Sequence, residues 1–387
     1  MKASIIFFIS IALSILIGIN YYIGLRGRQA FNSVPYFNTL LYWIVFWALA
    51  LSYFVARLTS SFLPEIIINK LNLIGSYWLA AMMYFIMILI VIDIIRLIDR
   101  FTGFIPVVVK QNKWTLPVIG ITAFLVVIGI LIYGTWNAKN PRVNYYSLSI
   151  PKPAGSLEKL HVVMVSDTHL GEIVDNSRLI NMVNIINKLQ PDIVLLGGDE
   201  FDDNIGPFMK QKMSETLLML KSRLGIYAIL GNHDYFGDID NTVMHLKEAG
   251  IQVLRDNYIK INDSFYIVGR DDSSVARMIG KPRAALSDIM NNIDKSLPVI
   301  LLDHQPTALK EAQEQGADLL LSGHTHRGQL FPSQFITERI YEVDFGYLKK
   351  GDMQVIVSSG FGTWGPPIRT GNTPEIVDIT INFTGSK

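Results

Sequence analysis

Cysteine is absent from the 387 residues, which excludes disulfides, thiolate zinc sites and a cysteine nucleophile. Any metal must therefore be held by nitrogen and oxygen. Charge of one sign is missing too: the net charge is +1 and no basic stripe alternates with aromatics. That removes the phosphate-neutralising term on which nucleic-acid affinity rests, so no nucleic-acid partner is expected. Acid and imidazole are scarce in one region. Up to Asn140 the only acidic residues are Glu65, Asp93 and Asp99, and no histidine precedes His161. The 50% hydrophobic content thus averages a lipid-soluble part with a water-soluble part. Internal repeats and low-complexity tails are lacking as well.

The first 140 residues hold four stretches without Lys, Arg, Asp or Glu: Ser4 to Leu25, Gln29 to Ala56, Leu71 to Ile92 and Trp114 to Ala138. A helix of about 20 apolar residues crosses a bilayer core and satisfies its own backbone. These runs lack the polar face of a soluble bundle helix, so four transmembrane helices are expected, the first uncleaved. An even number of spans puts the N-terminus and the remainder of the chain on one side. Arg26, Arg28, Arg96, Arg100, Lys110 and Lys113 face Lys2, Arg57, Lys70, Lys139 and Arg142 across the membrane. Positive residues favour the cytoplasm, and this small margin leans the C-terminal part to the extracytoplasmic face. Asp93 is given Arg96, one turn on, as its partner. Trp43, Trp47, Trp78, Trp114 and Trp136 read as interfacial anchors or packing residues. Pro141, Pro151, Pro153 and Gly155 mark a connector, giving a transmembrane region at 1–140, a linker at 141–159 and a folded domain at 160–387.

Within that domain one arrangement recurs: a short β-branched run stops at a polar cluster. His161-Val-Val-Met-Val-Ser ends in Asp167-Thr-His169, and Asp192-Ile-Val-Leu-Leu-Gly-Gly ends in Asp199. Gly225-Ile-Tyr-Ala-Ile-Leu-Gly ends in Asn232-His233-Asp234, Pro298-Val-Ile-Leu-Leu-Asp in His304, and Asp318-Leu-Leu-Leu-Ser-Gly in His324-Thr-His326. Each run reads as a buried strand, and Ser177 to Leu189 and Met209 to Leu220 have helical spacing. Alternating strands and helices imply an α/β sheet whose ligands gather past the carboxyl ends of the strands. Asp167, His169, Asp199, Asn232, His304, His324 and His326 could then meet. Carboxylate, imidazole and one amide oxygen suit Mn, Fe, Co, Ni or Zn, and seven donors exceed the needs of one ion. Two divalent ions sharing Asp199 is the economical arrangement.

These residues resemble the calcineurin-like metallophosphoesterase superfamily, in its bacterial membrane-anchored branch. Asp167-x-His169, Gly198-Asp199 with Asp202, Gly231-Asn232-His233-Asp234, His304 and Gly323-His324-Thr-His326 stand in family order over approximately Leu160 to Phe383. The resemblance implies a four-layer αββα sandwich. It assigns Asp167, His169, Asp199 and His326 to one metal and Asp199, Asn232, His304 and His324 to the other. His233 would act outside both metal shells on the leaving oxygen, with Asp234 orienting its imidazole. His161 and His245 lie outside the motifs.

Two close divalent ions lower the pKa of a bridging water and offset charge in an in-line displacement, so no protein nucleophile is required. The expected activity is hydrolysis of a phosphodiester, phosphomonoester or pyrophosphate by metal-bound hydroxide, on a substrate that a membrane tether suggests is lipid-linked. The alternative is a silent metal-binding module on the same tether. Glu200, where the superfamily has an apolar residue, is expected to face solvent. Arg369, after the Gly-Pro-Pro segment, is a candidate phosphate ligand, and Phe201, Phe236 and Trp364 are candidates for a substrate groove.

Overall fold

The computed structural model describes residues 2–202, 204–236 and 239–385. The described chain divides into two compact units, one up to Gly134 with Gly365–Pro367, the other Thr135–Trp364 with Ile368 onward.

The first unit contains α1 (Lys2–Phe31), α2 (Thr39–Leu58), α3 (Glu65–Thr102), the short α4 (Val107–Gln111) and most of α5 (Thr115–Ala138). Four of these are long and apolar enough to cross a membrane. Asn38 caps α2 by accepting from the Leu41 amide, and Gly103 closes α3 in a left-handed conformation. The third helix outruns the charge-free stretch 71–92 because its charged residues occupy the end turns. Small residues let the helices approach: Ala50, Ala56, Ala80 and Ala81 are buried, and Gly75 lies on the Tyr53 backbone with no room for a Cβ. The buried Asn20 accepts from Trp78 Nε1 at 2.8 Å. Asp93 keeps the expected ion pair with Arg96 and has closer partners besides. Its carboxylate takes a bidentate contact from Arg26 of α1 at 2.6 and 2.7 Å and a hydrogen bond from Tyr22, while Arg96 stands 3.8 Å away. A partner on a neighbouring helix cannot be read from i,i+3 spacing.

The second unit contains β1 (Arg142–Ile150), β2 (Lys159–Val165), α6 (Asn176–Leu189), β3 (Ile193–Leu196), α7 (Gly206–Lys210), α8 (Met213–Leu217), β4 (Ile226–Ala228), α9 (Ile239–Glu248) and β5 (Gln252–Val253). It continues through β6 (Asn257–Ile261), β7 (Phe265–Gly269), α10 (Val275–Ile279), α11 (Leu286–Met290), β8 (Val299–Leu302), α12 (Leu309–Glu314) and β9 (Leu319–Ser322). The last elements are α13 (Gln334–Ile340), β10 (Gly346–Lys350), β11 (Met353–Val357) and β12 (Glu375–Phe383).

Two mixed sheets result, in the orders β1-β12-β2-β3-β4-β5 and β10-β11-β9-β8-β7-β6. Strand alternation builds the layers. Val162, Met164, Ile193 and Leu195 face Ile267, Ile300, Leu302 and Leu319 between the sheets. Val163, Val165, Val194 and Leu196 turn outward to Leu179, Met182, Val183 and Ile186 of α6. On the other flank Val299, Leu301 and Leu320 pack on Leu286, Met290 and Leu309. Each such aliphatic side chain contributes roughly 1.5–3 kcal/mol of burial, and the outcome is the αββα sandwich that the resemblance implied.

The segment expected as a connector is not one throughout. Arg142–Ile150 is β1, paired in parallel along its whole length with β12, from Arg142↔Glu375 to Ile150↔Phe383. The prolines flank this strand instead of interrupting it. The helical stretch from Met209 is also broken, because Lys212 takes a left-handed conformation between α7 and α8.

Candidate metal centre

β2, β3 and β4 run parallel in one sheet, β8 and β9 run parallel in the other, and the expected donors follow all five carboxyl ends. Asp167 and His169 come after β2, Asp199 after β3, Asn232 after β4, His304 after β8, and His324 and His326 after β9. Asp167, His169, Asp199, His324 and His326 all have positive φ, between 46° and 70°. Non-glycine residues rarely adopt this backbone, and five of them together mark loops held in place by their surroundings. Glycine permits the close approach. A Cβ on Gly231 would collide with Asp199, and one on Gly323 with Ser166 and Asp167.

The donors form two groups. In one, His169 Nε2 lies 3.1 Å from His326 Nε2, which is 3.4 Å from Asp167 Oδ1. In the other, His304 Nε2 lies 3.2 Å from Asp199 Oδ2, and His324 Nδ1 lies 2.8 Å from Asn232 Oδ1. Asp199 Oδ2 is also 3.9 Å from His169 Nε2, so a single oxygen faces both groups. The other oxygen, Oδ1, accepts the His233 amide at 2.7 Å. Asp167 is held by the His324 amide and by the Ser166 hydroxyl.

The chemistry of this set fits divalent cations. His304 donates Nδ1–H to the Gly197 carbonyl at 2.8 Å, which fixes the tautomer and aims Nε2, buried and otherwise without a hydrogen-bond partner, at Asp199. Burial opposes a charge on His304, yet Asp199 and Asp167 hold its pKa well above the ordinary imidazole value. The same field would attract a cation. Burial also opposes ionisation of Asp199, but His304 and His169 keep its carboxyl low. Burial lowers His169 to about 3 and His324 to about 4, and it lowers His326 with help from His169 and Arg369, so all three present neutral imidazoles at neutral pH. Asp167 is pushed up to about 6, first by burial. His169, Asp167 and His326, and likewise Asp199, His304 and His324, bring donor atoms within 4.8 Å of one another.

His233 stands beside these groups. Its ring is edge-on to His169 at 4.9 Å, to Phe236 at 4.9 Å and to Trp364 at 5.7 Å. Phe236 and Trp364 are more than half exposed, whereas Phe201 is buried in the core. Asp202, quoted in the motif but given no role, also brings a carboxylate oxygen within 4.8 Å of ring nitrogens of His233 and His169. Its fixed offset from Asp199 was the available signal.

Three expectations are corrected. Asp234 does not turn its carboxylate to orienting the imidazole: Oδ1 accepts the amides of Glu200 and Phe201 at 3.0 and 3.1 Å, and Oδ2 those of Asp199 and Gly231 at 2.9 and 2.8 Å. It clamps the loop after β3 to the loop after β4. Burial and Asp199 push its pKa up to about 7. Glu200 is buried, not solvent-facing. Thr168 Oγ1 lies 2.9 Å from its Oε2, Oε1 has no hydrogen-bond partner, and burial with Asp234 raises its pKa well above the ordinary range. Arg369 is fully buried and cannot reach a substrate phosphate. Its guanidinium donates to the carbonyls of Gly362 and Ser359, to Asn372 Oδ1 and to His326 Nδ1. The same loop is tied to the Asp167 turn by the Phe361 and Gly362 amides, which donate to Ser166 and Asp167 carbonyls.

Residues 160–328 match the model of the calcineurin-like phosphoesterase family. An uncharacterized metallophosphoesterase of Aquifex aeolicus is 34% identical over 63% of this chain and 93% of its own length. A Danio rerio transmembrane protein with metallophosphoesterase domain is 33% identical over 67% of this chain, which spans 62% of that protein. The Bacillus subtilis uncharacterized metallophosphoesterase YkoQ is 28% identical over 66% of this chain and 95% of its own length.

Proposed function

The chain belongs to the calcineurin-like phosphoesterase family and is a hydrolase of phosphate esters, and from that premise we propose a membrane-tethered enzyme with two divalent metals acting on an amphiphilic phosphate ester. The observation that carries the two-metal reading is Asp199 Oδ2, 3.2 Å from His304 Nε2 and 3.9 Å from His169 Nε2. Asp167, His169 and His326 would hold one ion and Asn232, His304 and His324 the other, with Asp199 shared. When bound, such ions ionise water near neutral pH and offset charge on the phosphoryl oxygens.

The chain's own residues supply the rest. His233, outside both donor groups, delivers a proton or positive charge to the leaving oxygen, with the Asp202 carboxylate beside its ring. Asp234 keeps Asp199 and Asn232 in register through the two loops it clamps. The exposed rings of Phe236 and Trp364 flank His233 and offer an apolar surface to one side of the phosphate. A tether raises the concentration of a site near bilayer substrates, so the substrate class is a lipid-linked phosphodiester, monoester or pyrophosphate. The charge count between spans favours the extracytoplasmic side, which a reporter fused beyond β12 would check. A silent binding module is disfavoured because every donor is present and clustered.

The test uses the full chain in detergent. Metal content is measured, and a chromogenic phosphodiester is compared with the monoester in added Mn²⁺. We expect hydrolysis that falls at least ~100-fold in His233→Ala and Asp199→Asn. An inert metal-loaded protein, or full activity in both variants, rejects the reading.

A further inference from the structure

We propose that the helical unit contains a binding site for one anionic phospholipid, with the headgroup phosphate on Arg28 and Arg96 and the acyl chains in the cavity beneath. The inference rests on the first unit alone and is independent of the catalytic reading.

A cavity of about 960 Å³ lies among α1, α2, α3 and α5. That is the upper end of the ~300–1,000 Å³ found for small-molecule sites. Its deep wall is apolar, formed by Phe46, Leu49, Trp78, Phe85 and Leu89, while Leu116 and Ala123 from the first turns of α5 close one side. Its other end is charged, with Arg26, Arg28, Asp93 and Arg96 among the lining residues. Polarity is therefore segregated as in an amphiphile. Along α2 the lining runs from Asn38 to Leu49, a depth on the order of 15 Å at 1.5 Å per residue, or about half of a ~30 Å hydrocarbon core. This is the depth of one leaflet.

Charge selects the headgroup. Three arginines and a single carboxylate line this end, and both oxygens of Asp93 are engaged by Arg26 at 2.6 and 2.7 Å. Arg96 is left 3.8 Å from Asp93, and Arg28 has no acidic partner among the described residues. The mouth thus carries about two uncompensated positive charges over an apolar cavity, which suits a phosphate with net negative charge and two fatty chains. A zwitterionic lipid would bring its own cation to the same arginines.

The full chain, delipidated in non-ionic detergent, is titrated by native mass spectrometry with dioleoyl phosphatidylglycerol and with dioleoyl phosphatidylcholine. We expect one phosphatidylglycerol per chain at saturation, bound at least tenfold more tightly than phosphatidylcholine. Arg28→Gln with Arg96→Gln should reduce that preference to less than twofold, whereas Lys113→Gln, in the loop before α5 and outside the cavity lining, should keep it. Ala123→Leu and Ala123→Phe should weaken both lipids in steps as the cavity fills; if the larger change prevents folding, the smaller one still reports. Equal binding of the two lipids, an unchanged preference in the double arginine variant, binding that never saturates at one lipid, or cavity-filling variants with unchanged affinity would overturn the proposal.

Discussion

Asp234→Asn separates two roles for one carboxylate. Four buried amides, from Asp199, Glu200, Phe201 and Gly231, converge on its two oxygens at 2.8–3.1 Å. Asparagine keeps one acceptor oxygen and turns a donor NH₂ toward the amides on the other side, so two of them lose their acceptor. Each buried unsatisfied group costs about 1–3 kcal/mol, which gives about 2–6 kcal/mol for the variant. For a unit of this size about 2–4 °C of melting temperature corresponds to 1 kcal/mol, so the loss is on the order of 5–20 °C. Because the displaced loops carry Asp199 and Asn232, bound metal should also fall below that of the parent. Thermal unfolding of the full chain in detergent, with metal analysis of the same preparation, reads both quantities. If the variant melts within 1–2 °C of the parent (roughly 0.5 kcal/mol), keeps its metal and loses only kcat, the clamp argument fails and the imidazole-orienting role returns.

Arg369→Lys should lower the melting temperature with KM little changed, since each lost charge-assisted hydrogen bond to Gly362 or Ser359 is worth roughly 1.5–3 kcal/mol; a raised KM at constant stability would instead mark a phosphate ligand. Chelated protein should lose stability between about pH 7.5 and 9. In the fold Asp234 keeps its proton up to about pH 7 and His304 holds one well above the ordinary imidazole value, so Asp234's contribution is complete below about pH 4 and vanishes as pH rises through 7, with His304's lost at higher pH. His169, His324 and His326, all lowered, oppose this near pH 6.5, where an unfolded imidazole is still half protonated, and drop out only above about pH 7.5. Divalent metal should flatten the curve, and a metal-free melting temperature that climbs from about pH 7.5 to 9 would contradict the assignment. A fragment beginning at Pro151 lacks β1 and should aggregate on size exclusion, whereas one beginning at Thr135 keeps β1 and the contacts of Asn137 with Arg369 and Asn372.

The donor set was legible because its logic is local. Each of Asp167, Asp199, Asn232, His304 and His324 follows directly on an apolar strand, and parallel strands carry such residues to one edge. The sandwich itself came through the resemblance, since alternating strands and helices alone do not tell one sheet from two. What escaped depends on distant partners. β1 looked like a linker because the strand it joins lies at the other end of the catalytic region. Arg369 looked like a phosphate ligand because its true acceptors are main-chain carbonyls, which leave no mark in a sequence. Glu200 looked exposed because charge usually is, and only the packing of Thr168 and Asp234 around it shows otherwise. The pairing of Asp93 with Arg96 was legible within its own helix, but the closer contact with Arg26 was not, because the helix that supplies Arg26 could not be known.

β12 is threaded between β1, to which it runs parallel, and β2, to which it runs antiparallel. Every clustered donor lies upstream of it. During synthesis the candidate metal ligands therefore emerge before the strand that covers the apolar edge of β2, and the growing chain carries that bare edge until Glu375–Phe383 is available. Protection against strand-to-strand association in this interval must come from outside the sheet, and a topology reporter spliced anywhere before Glu375 would report on a chain whose sheet is still open.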